Sequence, residues 1–305
     1  MVQSVILTGP TAVGKSSLAI ELAEELDLEI INADSVCFYE RFNIGSAKPT
    51  EEEMEQVRHH LINVAHPNEV YHAGKFLKDV NQILNDIHSR GKRAIIVGGS
   101  GFYLKALRLG LWEAPATSNE FRAEAEKRDT QSLFEELMGL DPVHADKVGP
   151  EDRYRLVRAL EILRLSGKRP SDLQASMPSE PNPAFQLWVI DRDKNDLEKR
   201  MHQRILAMID AGLIREAESL RQQFPNSKTL QAVGYAQVLD HLDGIPPEGR
   251  KVKPGIPGLV EEIELAHRQL AKQQRTWFKN LKPNENFTLE QDLPGLKEKL
   301  IKFYQ

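Results

Sequence analysis

The stretch Gly9-Pro-Thr-Ala-Val-Gly-Lys-Ser16 constrains this chain more than any other. It fits G-x-x-x-x-G-K-[ST], the P-loop that cradles phosphates. Its flanks agree with that reading. Ser4–Thr8 is an apolar run of strand length, and Ser17–Leu26 places apolar residues at helical spacing. Strand, glycine loop and helix start give a row of backbone amides at a helix N-terminus, where the helix dipole also favours negative charge. Gly9, Pro10, Thr11, Ala12, Val13, Gly14, Lys15 and Ser16 are therefore the expected diphosphate or triphosphate cradle. Lys15 would reach the terminal phosphate, and Ser16 would hold a Mg²⁺ ion.

Four further facts bound the fold and its partners. With 305 residues there is room for one large α/β domain, or a core with a smaller insert. The net charge of −5 gives no global electrostatic case for nucleic acid, so such a partner needs a local basic face. The single cysteine, Cys37, excludes a disulfide within the chain and any cysteine-based zinc site. No apolar run reaches membrane-span length and the first residues enter a strand directly, so a cytoplasmic protein without a leader is expected.

In chain order, Leu28–Ala33 reads as a second buried strand ending at Asp34-Ser35. A carboxylate at that end of a parallel strand lies where open α/β sheets bind ligands. Val36–Pro49 lacks a period and reads as a long loop over the site. Glu51–His60 reads as a helix with Thr50 as its cap, Leu61–Val64 as a short strand, and Phe76–Ser89 as a helix. Lys92–Val97 is a third strand, running into Gly98-Gly99-Ser100-Gly101 and a helix from Phe102 to Leu109. No acid ends this strand, which leaves Asp34 for metal support or acid–base work. From about Ser118 to Ser176 only helical stretches appear, with Arg153, Arg155, Arg158 and Arg164 on one of them. Phe185–Ile190 then rejoins the sheet, and the remainder reads as helical. Gly244–Pro257 is a proline-rich loop, and the helix from Leu259 to about Asn280 carries Arg268, Lys272, Arg275 and Lys279 on one face.

The predicted fold is α/β, a P-loop NTPase-like parallel sheet flanked by helices, with an all-helical insertion domain. Residues 1–116 and 183–305 would form the core, and 117–182 the insert.

Several stretches together resemble the tRNA dimethylallyltransferases (tRNA isopentenyltransferases). They are GPTAVGKS at Gly9, ADS at Ala33, IGSAKP at Ile44, HHLI at His59, GGSGFY at Gly98, RLVRALE at Arg155, SGKRPSD at Ser166, VGY at Val233 and RQLAKQQRTWF at Arg268. The resemblance implies transfer of a dimethylallyl group from dimethylallyl diphosphate to the exocyclic amine of the adenosine 3′ of a tRNA anticodon. It implies Mg²⁺ as cofactor and a monomer without an obligate protein partner. It makes Asp34 the catalytic base, with Ser100 beside the extruded adenosine. It places Ser35, Val36 and Cys37 against the tRNA with Asp34 and Ser100. Arg122, Tyr154, Arg155, Leu156, Val157 and Arg158 of the insert, with Arg268 and Lys272 of the last long helix, would also meet it. Trp277 and Phe278 read as core. His59 and His60 point apart as neighbours, without a third ligand at zinc spacing, and read as structural or substrate-lining.

The chain departs from the pattern DSxQVYRxxDIGTAKP, reading DSVCFYERFNIGSAKP. Cys37, Glu40 and Asn43 replace glutamine, a basic residue and aspartate; Tyr154 and Ala236 replace glutamine and a basic residue elsewhere. Each swap takes a polar or basic group from the side expected to meet RNA. Three other readings compete: an adenylate isopentenyltransferase acting on free AMP, ADP or ATP, a nucleotide kinase with an arginine-bearing lid, and a P-loop regulator that binds tRNA without modifying it. The basic helices favour tRNA over a free nucleotide.

Overall fold

The computed structural model describes residues 3–112, 114–178, 180–246 and 253–305. Residues 247–252 of the proline-rich stretch expected as a loop fall outside them. Six strands form one parallel sheet: β1 (Ser4–Thr8), β2 (Leu28–Asn32), β3 (His59–His60), β4 (Arg93–Val97), β5 (Phe185–Asp191) and β6 (Glu285–Thr288). Their spatial order is β3-β2-β4-β1-β5-β6. β1 lies between β4 and β5, with Ile6 opposite Ile96 on one side and Leu187 on the other. Both faces of β1, β2 and β4 are covered, which is why these strands read as unbroken apolar runs. The helices Lys15–Glu25 and Leu289–Tyr304 pack on one face, around Leu22, Val97, Leu296 and Leu300. On the other lie Ala73–Ser89 and Gly101–Leu109, around Phe76, Val80, Ile96 and Leu104.

Two compact units emerge, one of Met1–Arg108 with Asn182–Gln305 and one of Leu109–Pro181. The second is helical throughout, and its own core joins Phe121, Leu133, Leu137, Leu156 and Leu160.

Several expectations need correction. The helix after Thr50 stops at Gln56, and the strand is His59–His60 rather than Leu61–Val64. Leu61 and Asn63 have φ of 61° and 55°, left-handed values that no strand accepts. The chain beyond Asn280 is not all helical, because β6 extends the sheet beside β5. The last long helix begins at Ile256, with Pro257 in its first turn, where proline is tolerated. Phe278 is core, but Trp277 is 39% exposed, its ring lying against Gly101.

At the β1/β4 seam, the Tyr304 hydroxyl accepts from Val5 N (3.1 Å) and donates to the Ala94 carbonyl (2.8 Å). It supplies partners to two buried backbone groups that would otherwise lack them.

Candidate active site

The carboxyl ends of β1, β2 and β4 are neighbours in the sheet, and each runs into one of the loops singled out above. Gly9–Gly14 follows β1, Ala33-Asp34-Ser35 follows β2, and Gly98–Ser100 follows β4. Gly98 crosses so close to β2 that a Cβ there would lie 2.2 Å from the Ala33 carbonyl carbon. Only glycine lets the two loops meet. Ser100 is then held against Ser35: its Oγ accepts from Ser35 N at 2.8 Å and donates to Ser35 Oγ at 3.1 Å.

The P-loop is fixed from outside. Its carbonyls are tied down by arginines, with Arg192 Nε donating to Val13 O (2.8 Å) and Arg200 Nε to Ala12 O (3.2 Å). Gln274, from the last long helix, accepts from Thr11 N at 2.8 Å and donates to Gly99 O at 3.0 Å. One buried side chain thus braces the P-loop against the loop after β4. Gly14 caps the helix Lys15–Glu25 with no side-chain acceptor, so the first-turn amides remain donors for an anion.

Lys15 Nζ donates to Gly9 O and Pro10 O, both at 2.9 Å. Desolvation pulls its pKa down to about 8, against the pull of Asp34 and with the push of Arg204. Asp34 is set in an Asx-type turn: its N–H donates to Asn32 Oδ1 (2.9 Å), and its Oδ1 accepts from Val36 N (3.1 Å).

Arg204, on the helix Lys194–Asp210, was not among the expected residues. Its Nε is buried without a hydrogen-bond partner. Burial lowers its basicity, and the charge of Asp34 acts on it as it does on Lys15. A desolvated guanidinium beside Lys15 and Asp34 is a cation held ready for an anion. The sequence alone does not single it out: Arg200 and Arg204 are i, i+4 neighbours on one helix face, but only the fold brings Arg200 to the P-loop. His267 stays neutral nearby, its pKa lowered to about 4 by burial, with Nδ1–H donating to Ile263 O at 2.9 Å.

The residues present fit a hard divalent cation. Ser16 is exposed in the first helical turn and Asp34 offers a carboxylate, which suits an ion that keeps waters and phosphate oxygens as its other ligands. No group of three or more His, Cys, Asp or Glu able to hold a metal occurs among the described residues. His60 instead binds Glu29 at 2.6 Å, and His59 bonds the Val57 carbonyl.

The other expected RNA-facing residues fall into different environments. Cys37 is buried, its thiol pushed up to about 12 chiefly by desolvation, and Sγ lies 3.8 Å from Ser46 O. In the helical unit Leu156 is fully buried and Val157 packs against the same core. Arg122 and Arg158 both bond Glu161, which is itself fully buried. Burial opposes ionisation of Glu161, but the bonds from both guanidinium groups and from Ser118 N outweigh it and hold the carboxyl below its usual range. Two half-exposed arginines against one carboxylate leave net positive charge at a fixed place. Tyr154 is exposed, and so is Arg155, which pairs with Asp152. On the last long helix Arg268 and Lys272 are exposed, whereas Arg275 is committed to Asp191 by two bonds of 2.8 and 2.7 Å.

The chain is similar to known proteins over nearly its whole length. A family model described as IPP transferase matches residues 37–281. The tRNA dimethylallyltransferase of Acinetobacter baumannii is 36% identical over 308 residues, covering 98% of this chain and 97% of that protein. Syntrophotalea carbinolica tRNA dimethylallyltransferase 1 is 38% identical over 281 residues, covering 90% and 87%. The crystal structure of full-length tRNA isopentenylpyrophosphate transferase from Bacillus halodurans aligns with TM-score 0.68 at 30% identity, covering 99% of this chain and 95% of that one. A eukaryotic dimethylallyltransferase acting on tRNA aligns with TM-score 0.83 at 25% identity, covering 99% and 78%.

Proposed function

The chain belongs to the IPP transferase family, and on that premise we propose that it moves the dimethylallyl group of dimethylallyl diphosphate onto tRNA. The acceptor is the exocyclic amine of the adenosine 3′ of the anticodon. The carrying observation is that the P-loop, the turn at Asp34 and the loop at Ser100 meet at the neighbouring carboxyl ends of β1, β2 and β4.

In this reaction the allylic C–O bond breaks and its electron pair leaves with the diphosphate oxygen. The amine nitrogen forms the new C–N bond and gives up a proton. The developing charge on the leaving group meets the first-turn amides, Lys15 and Arg204, all fixed before the substrate arrives. Asp34 accepts the amine proton, its carboxylate oriented by Val36 N. Ser100 holds Ser35 in place and so keeps the chain after Asp34 in register. A Mg²⁺ ion held by Ser16 would neutralise further charge on the diphosphate. Arg155, Arg158, Arg122, Arg268 and Lys272 supply local cations on a chain that is acidic overall, as phosphate contacts require.

The test is incubation with radiolabelled dimethylallyl diphosphate, Mg²⁺ and either unmodified tRNA or AMP. Label in tRNA alone supports the proposal. Label in AMP points to an adenylate isopentenyltransferase, and label in neither rejects both.

A further inference from the structure

We propose that Glu216 is a positioning residue for the transfer reaction: its carboxylate fastens the loop after Asp34 through the three consecutive amides of Asn43, Ile44 and Gly45. The proposal rests on the reading of Asp34 as the base.

Glu216 lies on the helix Leu213–Gln223. Its Oε1 accepts from Ile44 N at 2.9 Å and Gly45 N at 3.1 Å, and its Oε2 from Asn43 N at 3.2 Å and Ile44 N at 2.9 Å. The Tyr235 hydroxyl donates to Oε1 at 2.6 Å. Consecutive N–H groups turned toward one carboxylate form an anion nest, and charge-assisted bonds of this kind are stronger than neutral ones. The fit is close enough to dictate sequence. A Cβ on Gly45 would lie 2.5 Å from Tyr235 Cζ and 2.9 Å from Leu213 Cδ1. Tyr235 is fully buried, and burial together with Glu216 raises its pKa, so the phenol remains a donor.

The IGSAKP and VGY stretches therefore meet on Glu216. Lys48 closes the same loop on itself, its Nζ donating to Tyr39 O (2.9 Å), Asn43 Oδ1 (3.1 Å) and Asn63 Oδ1 (2.6 Å). The near end of the loop begins at Val36, whose N–H orients the Asp34 carboxylate. Glu216 touches no reacting atom. It acts through the loop: when the nest loses its carboxylate, the loop shifts and the aim of Asp34 shifts with it. Diphosphate binding by the P-loop does not depend on that contact.

The experiment compares E216A, E216Q and Y235F with the unaltered protein by amide hydrogen exchange, and by kcat and KM for dimethylallyl diphosphate. Thermal melting confirms that each variant is folded. In E216A, exchange at Asn43–Gly45 should rise at least about tenfold, and kcat should fall roughly 10- to 100-fold as the base is misplaced. KM for the diphosphate should stay within about threefold. E216Q, which keeps one acceptor oxygen, should fall between, and Y235F should show the smallest change. Unchanged exchange in folded E216A overturns the clamp. Faster exchange with undiminished kcat overturns its link to the reaction, and so does an equal loss of diphosphate affinity. Transfer to AMP in place of tRNA would reject the acceptor assigned above while leaving kcat readable for this comparison.

Discussion

At the residue scale, the site separates two tasks that carry opposite charge. In the proposed reaction Asp34 takes a proton, so Asp34→Asn should lower kcat by at least about 100-fold. Its KM for dimethylallyl diphosphate should move by no more than about threefold, in steady-state kinetics with tRNA in excess. Equal losses in both would assign the carboxylate to the metal instead. In the same proposal Lys15 meets the leaving group, and its pKa of about 8 gives binding a pH signature. Below that pH the free protein presents an ammonium. Above it, binding must first take up a proton, so affinity for inorganic diphosphate should weaken by up to about tenfold per pH unit. Calorimetry should show the fall beginning near pH 8, and Lys15→Arg should flatten it, because a guanidinium stays charged. Arg204 shows why residue roles are hard to read from sequence: nothing in Arg-Met-His-Gln-Arg204 says which arginine loses its water, since burial is decided by packing.

At the element scale, the three strands that deliver the site were legible almost to the residue. β1, β2 and β4 are apolar runs covered by helices on both faces, and such runs leave little doubt. β3 and β6 were not legible, for physical reasons. Two residues carry no period, and Glu285–Thr288 is a mostly polar edge strand that owes its conformation to backbone bonding with β5. The helix Ala73–Ser89 starts a turn earlier than its apolar period because His72 Nδ1 caps it, accepting from Lys75 N at 3.1 Å. The last long helix was read as a basic face, yet its strongest tie to the site is the neutral Gln274 between two glycine loops. Gln274→Ala should leave Thr11 N without its acceptor. The expected result is a loss of about 1–3 kcal/mol in stability by denaturant titration, together with weaker diphosphate binding. Unaltered binding would mean that the P-loop holds its shape alone. In the helical unit, Arg155→Ala should reduce the salt slope of tRNA binding by about one, the signature of one lost phosphate contact.

At the scale of the whole molecule, the sheet keeps chemistry at one edge and an ionic anchor at the other. Glu29 stands five residues before Asp34, about 16 Å along the strand direction. It is buried, bonded by Arg90 through both oxygens and by His60 at 2.6 Å. Those bonds, Arg90 first, hold its carboxyl down to about 2. A depressed carboxyl contributes stability that is complete above its unfolded value and is lost as pH falls through the folded one. Glu29 should therefore support the fold fully above about pH 4.5 and progressively less toward pH 2. Glu29→Gln should cost about 3 kcal/mol at neutral pH by chemical denaturation, with kcat of the folded protein unchanged. A matching loss of kcat would mean that the two edges are not independent.

Tyr304 gives the molecule a schedule. The seam it closes joins Val5 to a side chain 299 positions later in the chain. Between them the helical unit, complete within Leu109–Pro181, can fold on its own emerging segment. The sheet cannot finish so early. β5 and β6 are translated after that unit, and the bonds at Val5 N and Ala94 O wait for the closing helix. The sheet that holds the proposed site becomes whole only after the helical unit has been made, although its phosphate loop precedes that unit in the chain.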